Sequence, residues 1–233
     1  MLEILYQDDH YIAVDKPAGL LVHRTQIDQS ESQACVQILR NQIGRRVYPC
    51  HRLDKATSGV LFFALSPEAL AAANKVFASG GVEKIYLALV RGWVTEAGRL
   101  DYPLVLEEEG RGENTLPKVQ DAVTAYRPLK RFEVNKPLGR YQTARFSLIE
   151  LRPETGRRHQ LRRHMAHLRH PIIGDTTHGD GLQNRFFRDE FNCHRLLLTA
   201  ISLKLAHPIN GGELHIQTSP TEEFFHLNDS AMT

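Results

Sequence analysis

A single stretch of the sequence, residues 50–66, constrains the fold of this chain more than any other. It begins with the dense polar segment CHRLDKATS and runs directly into the apolar segment GVLFFAL at 59–65. An unbroken apolar run bounded by turn-forming residues is typical of a strand that is buried on both faces. Ser66 and Pro67 then precede an alanine-rich segment, in the positions of a helix N-cap and a first helical residue. This stretch therefore predicts a polar loop at the edge of a sheet, an interior strand and a helix.

The remaining sequence predicts a strand-rich chain with segregated helices. Further strands are predicted twice within 2–17, on either side of a DDH turn, and at 84–90, 122–128, 141–151, 196–205 and 213–218. Further helices are predicted at 30–43 with Ser30 as cap, at 155–168 with Thr155 as cap, and near the C-terminus. Polar residues interrupted by Gly and Pro at 107–121 indicate a flexible excursion. The pattern favours an α+β fold with a mixed, mostly antiparallel central sheet flanked by helices and loops.

Composition excludes several classes of protein. Neither a repeat nor a segment of distinct composition divides the 233 residues, so we expect a single domain over 1–233. Cys35, Cys50 and Cys193 are scattered and form no CxxC pair, which disfavours a zinc ribbon or a disulfide framework. No apolar run is long enough to cross a bilayer, and the N-terminus lacks the pattern of a signal peptide. We therefore expect a cytoplasmic protein.

The window 152–170 concentrates positive charge. It holds six arginines and four histidines against one acid, Glu154, although the net charge of the whole chain is only +2. Three apolar residues of the window recur with helical spacing and predict a buried stripe: Leu161, Met165 and Leu168. Three arginines are expected along one flank of that stripe: Arg158, Arg162 and Arg169. Such a window is as compatible with contacts to phosphates as with a solvated basic face.

The polar segment before the apolar run contains the strongest candidate for chemistry, Asp54. A carboxylate at the mouth of a sheet is held by a rigid element beside a possible cleft, as a catalytic group requires. In the alternative interpretation, Asp54 and Thr57 simply bond the backbone of a polar turn. The residues alone leave both interpretations open.

Five ordered blocks of the sequence resemble one family. HRLDKATSG at 51–59 resembles the motif of the pseudouridine synthases of the RluA family. The other blocks are ILYQDDHYIAVDKPAGLLVH, EKIYLALVRGW, LRPETGRRHQLRRHMAHLRHPIIGD and RLLLTAISLKLAHP. They occur in the order of the family and span most of the chain, which implies a pseudouridine-synthase fold. One departure is Thr199, which stands where the family usually has His.

The resemblance implies the isomerisation of an RNA uridine, in which the N1–C1′ bond breaks, the uracil turns and C5 bonds to C1′, with no cofactor. It assigns catalysis to Asp54, which attacks the ribose or the base or stabilises charge as the glycosidic bond opens. Tyr86 is implied to stack on the uracil and to assist proton transfer at C5. Arg162 is implied to be the cation that a carboxylate in a closed pocket needs. The alternatives are a tyrosine at a core edge and a phosphate-binding or solvent-facing arginine.

The resemblance also implies how RNA is bound. Arg52 is the candidate to fill the space left when the uridine is extruded from its stem. Phosphate contacts are expected from Arg157, Arg158, Arg163 and Arg169, extended by Lys16 and Arg24. The chain resembles the subgroup that modifies uridine 65 of tRNA more than the ribosomal-RNA enzymes, and we expect no S4-type domain before the catalytic blocks. We therefore expect a monomer that binds folded tRNA, with no membrane or protein partner; ribosomal RNA is the alternative substrate.

Three other classes of protein compete with this hypothesis. A metal-dependent hydrolase would use the histidines of the basic window: His159, His164, His167 and His170. However, His170 precedes Pro171, where a helix should end, and no carboxylate within the cluster completes a site, so we expect no bound metal. A glycosidase usually needs a second carboxylate. A non-catalytic RNA-binding module would tolerate the loss of Asp54, whereas the full catalytic set is present.

Overall fold

The computed structural model describes residues 1–23, 33–106 and 118–224. The chain divides into two compact units. Unit 1 comprises Met1–Tyr86 and Leu198–Thr221, and unit 2 comprises Leu87–Leu197 and the segment from Glu222 onward. Within the described ranges, no helix has both the length and the apolar character that a membrane crossing requires.

The strands of unit 1 are arranged around one fully buried strand. They are β1 (Glu3–Gln7), β2 (Tyr11–Lys16), β3 (Tyr48–Pro49), β4 (Ser58–Ala64), β11 (Leu198–Ala206), β12 (Glu213–Gln217) and the first half of β5 (Val82–Arg91). β4 pairs antiparallel with β2 and β3, and parallel with β11. β1 pairs antiparallel with β2, and β12 does so with β11. Every residue of β4 is buried, which confirms the predicted interior strand.

Two helices belong to unit 1. α2 (Pro67–Ala78) begins as predicted, because the Ser66 hydroxyl accepts the N–H of Ala69 at 3.1 Å. α1 (Cys35–Ile43) begins later than predicted, and the predicted cap Ser30 lies outside the described residues. Instead, the Gln37 side chain accepts the N–H of Ala34 at 2.7 Å, so the capping contact comes from inside the helix.

Gly59 allows the parallel pair of β4 and β11 to form. Its φ of +108° is unfavourable for residues with a side chain, and a Cβ there would lie 2.1 Å from the carbonyl oxygen of Ala200. In the adjacent register position, the Ser58 hydroxyl donates to the Thr199 hydroxyl at 2.8 Å, and both residues are buried. Thr199, the departure from the family pattern, therefore contributes a buried hydrogen bond between these strands.

The strands of unit 2 form an antiparallel group and a separate pair. They are the second half of β5, β6 (Gly98–Asp101), β7 (Leu104–Val105), β8 (Val119–Gln120), β9 (Val123–Val134) and β10 (Ala144–Pro153). β9 lies between β10 and β6 and pairs antiparallel with both, while β7 pairs antiparallel with β8. Of the predicted excursion at 107–121, residues 107–117 lie outside the described residues, and β8 shows that its end is a strand.

Helix α3 (Gln160–His167) is shorter than predicted, and Thr155 does not cap it. The Thr155 hydroxyl accepts the N–H of Val123 at 2.9 Å and donates to the Gln160 side chain at 2.7 Å. His159, the residue before the helix, has a left-handed φ of 52°. Because these contacts hold residues 155–159 in a turn, the helix starts only at Gln160.

The predicted flank of three arginines does not form, because only one of the three lies on α3. Arg158 precedes the helix, and Arg169 follows it with a φ of 63°. The predicted stripe is confirmed at Leu161 and Met165, which are buried, whereas Leu168 is only partly buried at the helix end.

Helix α4 (Gly181–Phe191) was not predicted, because the residues before it are typical of turns. The Asp180 carboxylate caps it by accepting the N–H groups of Leu182 and Gln183. Phe187 is buried and meets Phe146 edge to face, with ring centroids 4.8 Å apart. At the C-terminal end, Glu222–Phe224 form a short 3₁₀ helix, and the rest of the predicted C-terminal helix lies outside the described residues. The predicted α+β class with mostly antiparallel pairing is confirmed.

We expect Gly59→Ala to lower the free energy of unfolding by about 3 kcal/mol, because the new Cβ would meet backbone atoms that only a strand shift can move. The control is Gly44→Ala, since Gly44 also has a positive φ, +69°, but no atom lies within 4 Å of its Cβ position. That variant should lose about 1 kcal/mol. Urea unfolding measures both variants, and equal losses would contradict the close-approach explanation.

Candidate functional site

The loop that carries Asp54 connects β3 to β4 and is anchored at both ends. On one side, the N–H of Cys50 donates to the carbonyl of Phe62 at 2.9 Å, and the N–H of Phe62 donates to the His51 ring at 3.1 Å. On the other side, the N–H of Thr57 closes a turn on the carbonyl of Asp54 at 3.0 Å. Asp54 itself is half-buried. The polar turn of the alternative interpretation is therefore present, and it holds a carboxylate that solvent can still reach.

His51 supports this loop in its neutral form. Burial, together with the positive charge of Lys84, lowers its pKa to about 3. Its ring stacks on Phe77 with centroids 5.5 Å apart. Because a neutral imidazole can accept a hydrogen bond, His51 holds the Phe62 N–H of β4 at all physiological pH values.

Lys16 is completely buried, although it was expected on the RNA-binding surface. Its ammonium group donates to three backbone carbonyls, those of Pro17 at 2.9 Å, Leu20 at 2.8 Å and Lys55 at 3.1 Å. The Lys55 carbonyl also accepts the N–H of Gly19 at 2.8 Å. Lys16 thus ties the end of β2 and residues 17–20 to the residue that follows Asp54. The expectation of an exposed phosphate contact is corrected, because the ammonium lies in the interior.

Tyr86 lies in unit 1 with Asp54, near the middle of β5. It is buried, with 9% of its surface exposed. Burial raises the pKa of the phenol above its ordinary value, and the negative charge of Asp54 raises it further. The two predicted residues are therefore close enough for their charges to interact, and the phenol keeps its proton near neutral pH.

Arg162 is buried in unit 2, where Asp175 binds it with both carboxylate oxygens. Arg162 Nε donates to Asp175 Oδ2 at 2.9 Å, and Nη2 donates to Oδ1 at 2.8 Å. Only 6% of the arginine side chain and 1% of the aspartate side chain are exposed. Burial alone would raise the pKa of Asp175, but the hydrogen bonds from Arg162 and from the N–H of His178 hold it below its ordinary value. The pair is therefore ionised, and the hypothesis of a solvent-facing Arg162 is excluded.

Asp175 was not among the predicted site residues, although it ends the HPIIGD block. An aspartate after a glycine is common in turns, and nothing in its spacing predicts a partner on α3. A signal was present in the buried arginine, since a guanidinium facing inward needs a carboxylate.

The other predicted RNA-binding arginines lie at or near the surface. Arg52, Arg157, Arg158 and Arg169 are exposed and Arg163 is partly buried. Arg157 Nε donates to the carbonyl of Asp121, and Arg163 Nη1 donates to the carbonyl of Val105, both at 2.9 Å. Arg163 therefore binds the backbone just before residues 107–117, and Arg157 binds the backbone just after them.

The histidines of the basic window pack unit 2 together. His164 is buried, and its two ring nitrogens contact the Thr124 hydroxyl at 2.9 Å and the Tyr102 carbonyl at 3.0 Å. His167 stacks on the Tyr102 ring, and His170 Nδ1 contacts the Arg91 carbonyl at 2.8 Å. In the part of the chain that the structure describes, no three His, Cys, Asp or Glu side chains form a group that could hold a metal ion.

Comparisons with known proteins agree with this fold. A family model described as RNA pseudouridylate synthase matches residues 10–167. Proteins named tRNA pseudouridine synthase C are similar in sequence: that of Vibrio parahaemolyticus is 52% identical over 94% of this chain and 90% of its own length. That of Haemophilus influenzae is 47% identical over 97% of this chain and 96% of its own length. The solved structure of human RNA pseudouridylate synthase domain containing 1 has a TM-score of 0.71 and 26% identity, covering 94% of this chain and 83% of that one.

The fold and these similarities define an enzyme that isomerises a nucleotide within RNA. The chain belongs to the family of RNA pseudouridylate synthases. It is thus a pseudouridine synthase, which converts uridine to pseudouridine in an RNA substrate.

We expect Lys16→Met to leave the salt dependence of RNA binding unchanged, because a buried ammonium releases no counterions from phosphates. The free energy of unfolding should fall by about 2 kcal/mol, because three carbonyls lose the hydrogen bond from the ammonium. Binding titrations at several salt concentrations and urea unfolding measure the two effects. Arg158→Ala, at an exposed arginine, should instead reduce the log–log salt slope by up to about one. A comparable reduction in Lys16→Met would show that Lys16 contacts phosphate.

Proposed function

We propose that this pseudouridine synthase modifies the uridine at position 65 of tRNA, with Asp54 as its catalytic residue. The observation that carries the tRNA assignment is the similarity to tRNA pseudouridine synthase C proteins, which extends over nearly the whole of both chains. The choice of uridine 65 is supported by the blocks VRGW and HLRHPIIGD, which resemble the subgroup with that target. A tRNA-modifying enzyme works where tRNA is, so we also propose that the protein acts in the cytoplasm, as a monomer.

Asp54 provides the carboxylate that this reaction requires. The N1–C1′ bond must break and a C5–C1′ bond must form, so positive charge develops on the ribose or the base accepts a nucleophile. A half-buried carboxylate on an anchored loop is suited to either role, because it is held in position and the substrate can still reach it.

Tyr86 contributes its ring and its hydroxyl proton. Its raised pKa keeps the phenol neutral, so it is better suited to stacking on the uracil and donating a hydrogen bond than to removing the proton from C5. Asp54 is near enough to influence that phenol electrostatically, so the uracil that stacks on Tyr86 would lie beside the carboxylate.

Arg162 supplies the positive charge of the proposed active site. Asp175 accepts from Nε and from one hydrogen of Nη2, so two of the five N–H groups of the guanidinium are engaged in this ion pair. A guanidinium so held can stabilise negative charge that develops during the reaction.

The exposed arginines form the proposed RNA-binding surface. Arg52 is exposed two residues before Asp54, which is where a planar side chain could replace an extruded uridine in the stem. Phosphates would be held by the arginines around α3: Arg157, Arg158, Arg163 and Arg169.

Asp54→Asn should abolish turnover and leave the affinity for tRNA within about tenfold of wild type, because only the charge of one carboxylate changes. Tritium release from tRNA labelled at C5 of uridine measures turnover, and filter binding measures affinity. Asp9→Asn, at an exposed carboxylate of the same unit, is the control and should keep full activity. Turnover by Asp54→Asn, purified free of wild-type enzyme, would overturn the assignment.

For the substrate, we expect tritium release from a tRNA transcript, and no release once uridine 65 is replaced by cytidine. Extrusion of a paired uridine costs a few kcal/mol, which contacts across a folded tRNA can offset. An isolated T-stem hairpin should therefore react much more slowly than intact tRNA. Equal release from the cytidine-65 transcript would contradict the target position, and a preference for ribosomal RNA would contradict the tRNA assignment.

A further inference from the structure

Asp175 is the centre of a buried hydrogen-bond network in unit 2. Besides both bonds from Arg162, its Oδ1 accepts the N–H of Thr177 at 2.9 Å and that of His178 at 3.0 Å. Its backbone carbonyl accepts from the Asn184 side-chain amide at 2.8 Å. The carboxylate is therefore held by four donors and has little freedom to move.

The turn that carries Asp175 is itself fixed by close packing. The Asn184 side-chain oxygen accepts the N–H of Gly174 at 2.8 Å. The side chain of Asn184, on α4, therefore binds the backbone of two consecutive residues of the turn, Gly174 and Asp175. A Cβ at Gly174 would lie 1.9 Å from the carbonyl oxygen of Arg195, and a Cβ at Gly179 would lie 2.0 Å from the carbonyl oxygen of Asp175. Backbone therefore encloses the turn, and helix α4 sets the position of the carboxylate.

This carboxylate determines the orientation of the Arg162 guanidinium. Two parallel N–H···O bonds restrain both the position and the plane of a guanidinium, which a single bond or a point charge does not. The negative charge of Asp175 also offsets the cost of burying the arginine. Without it, Arg162 would be a buried cation that lacks the two parallel bonds restraining its plane.

We propose that Asp175 is a positioning residue for the isomerisation, and that it acts only through Arg162. This inference rests on the proposed function, in which Arg162 stabilises charge in the reaction. Asp175 presents the remaining N–H groups of Arg162 in one orientation before the substrate binds, so that no reorientation is needed as charge develops. Asp175 makes no contact with the RNA in this role.

A double-mutant cycle tests the inference on the full chain. Asp175→Asn keeps the shape of the side chain but removes its charge and one acceptor for Arg162. We expect kcat to fall by about 10- to 100-fold, with the affinity for tRNA within about threefold of wild type. In an Arg162→Ala background, Asp175→Asn should cause no further loss of kcat, because the residue through which it acts is absent.

The matched control is Asp180→Asn. Asp180 also binds an arginine, Arg91, at 3.0 Å, and caps α4 only five residues away, but it does not contact Arg162. Its variant should keep wild-type kcat although the ion pair with Arg91 is lost, because the asparagine oxygen can still cap α4. Rates are corrected for the folded fraction, measured by thermal unfolding. Should Asp175→Asn not fold, Asp175→Glu keeps the charge but displaces the carboxylate by one methylene, and should lower kcat with unchanged affinity.

Three outcomes would overturn the inference: a wild-type kcat in the folded fraction, an equal loss in Asp180→Asn, or losses that multiply in the Arg162→Ala background. The last result would mean that Asp175 acts independently of Arg162. Failure of the proposed function is distinguishable, because it requires an active Asp54→Asn enzyme or tritium release without uridine 65.

Discussion

The ammonium of Lys16 is the interaction on which the arrangement of unit 1 around Asp54 depends. A buried cation must find acceptors for its protons, and here three backbone carbonyls provide them. Because one of these carbonyls belongs to Lys55, the end of β2 and the loop that carries Asp54 are held together. Neutral His51 anchors the same loop to β4. The proposed catalytic carboxylate thus lies on a loop whose backbone is anchored by these hydrogen bonds.

In unit 2, the buried cation is bound by a carboxylate instead of by backbone carbonyls. Arg162 projects from α3 into the interior, where a carboxylate with a lowered pKa binds it with two oxygens. This carboxylate lies in a backbone turn that requires glycine at positions 174 and 179. Helix α4 secures that turn through Asn184. An element with no predicted role in chemistry therefore determines where the proposed catalytic arginine points.

Local sequence predicted the elements whose stability is local. β4 and α2 were predicted correctly because an apolar run and a Ser-Pro cap act on adjacent residues. The start of α3 was wrong, because contacts from Thr155 to distant Val123 compete with helix formation. α4 was missed, because the residues before it are typical of turns, and because Phe187 packs against Phe146, which is distant in the sequence. Pairings between distant segments, such as β4 with β11, were likewise not predictable from periodicity.

For the proposed site, the sequence by itself determined which residue types are available and, through ordered motifs, the family: Asp54, Tyr86 and Arg162 are all recognisable by position in their blocks. Only the tertiary structure decided which of these side chains are buried and which charged groups lie near them. It placed Lys16 in the interior instead of on the RNA surface, brought Tyr86 within the electrostatic reach of Asp54, and gave Arg162 the partner Asp175. The physical reason is that a motif records side-chain chemistry along the chain, whereas burial and ion pairing depend on segments that meet only after folding.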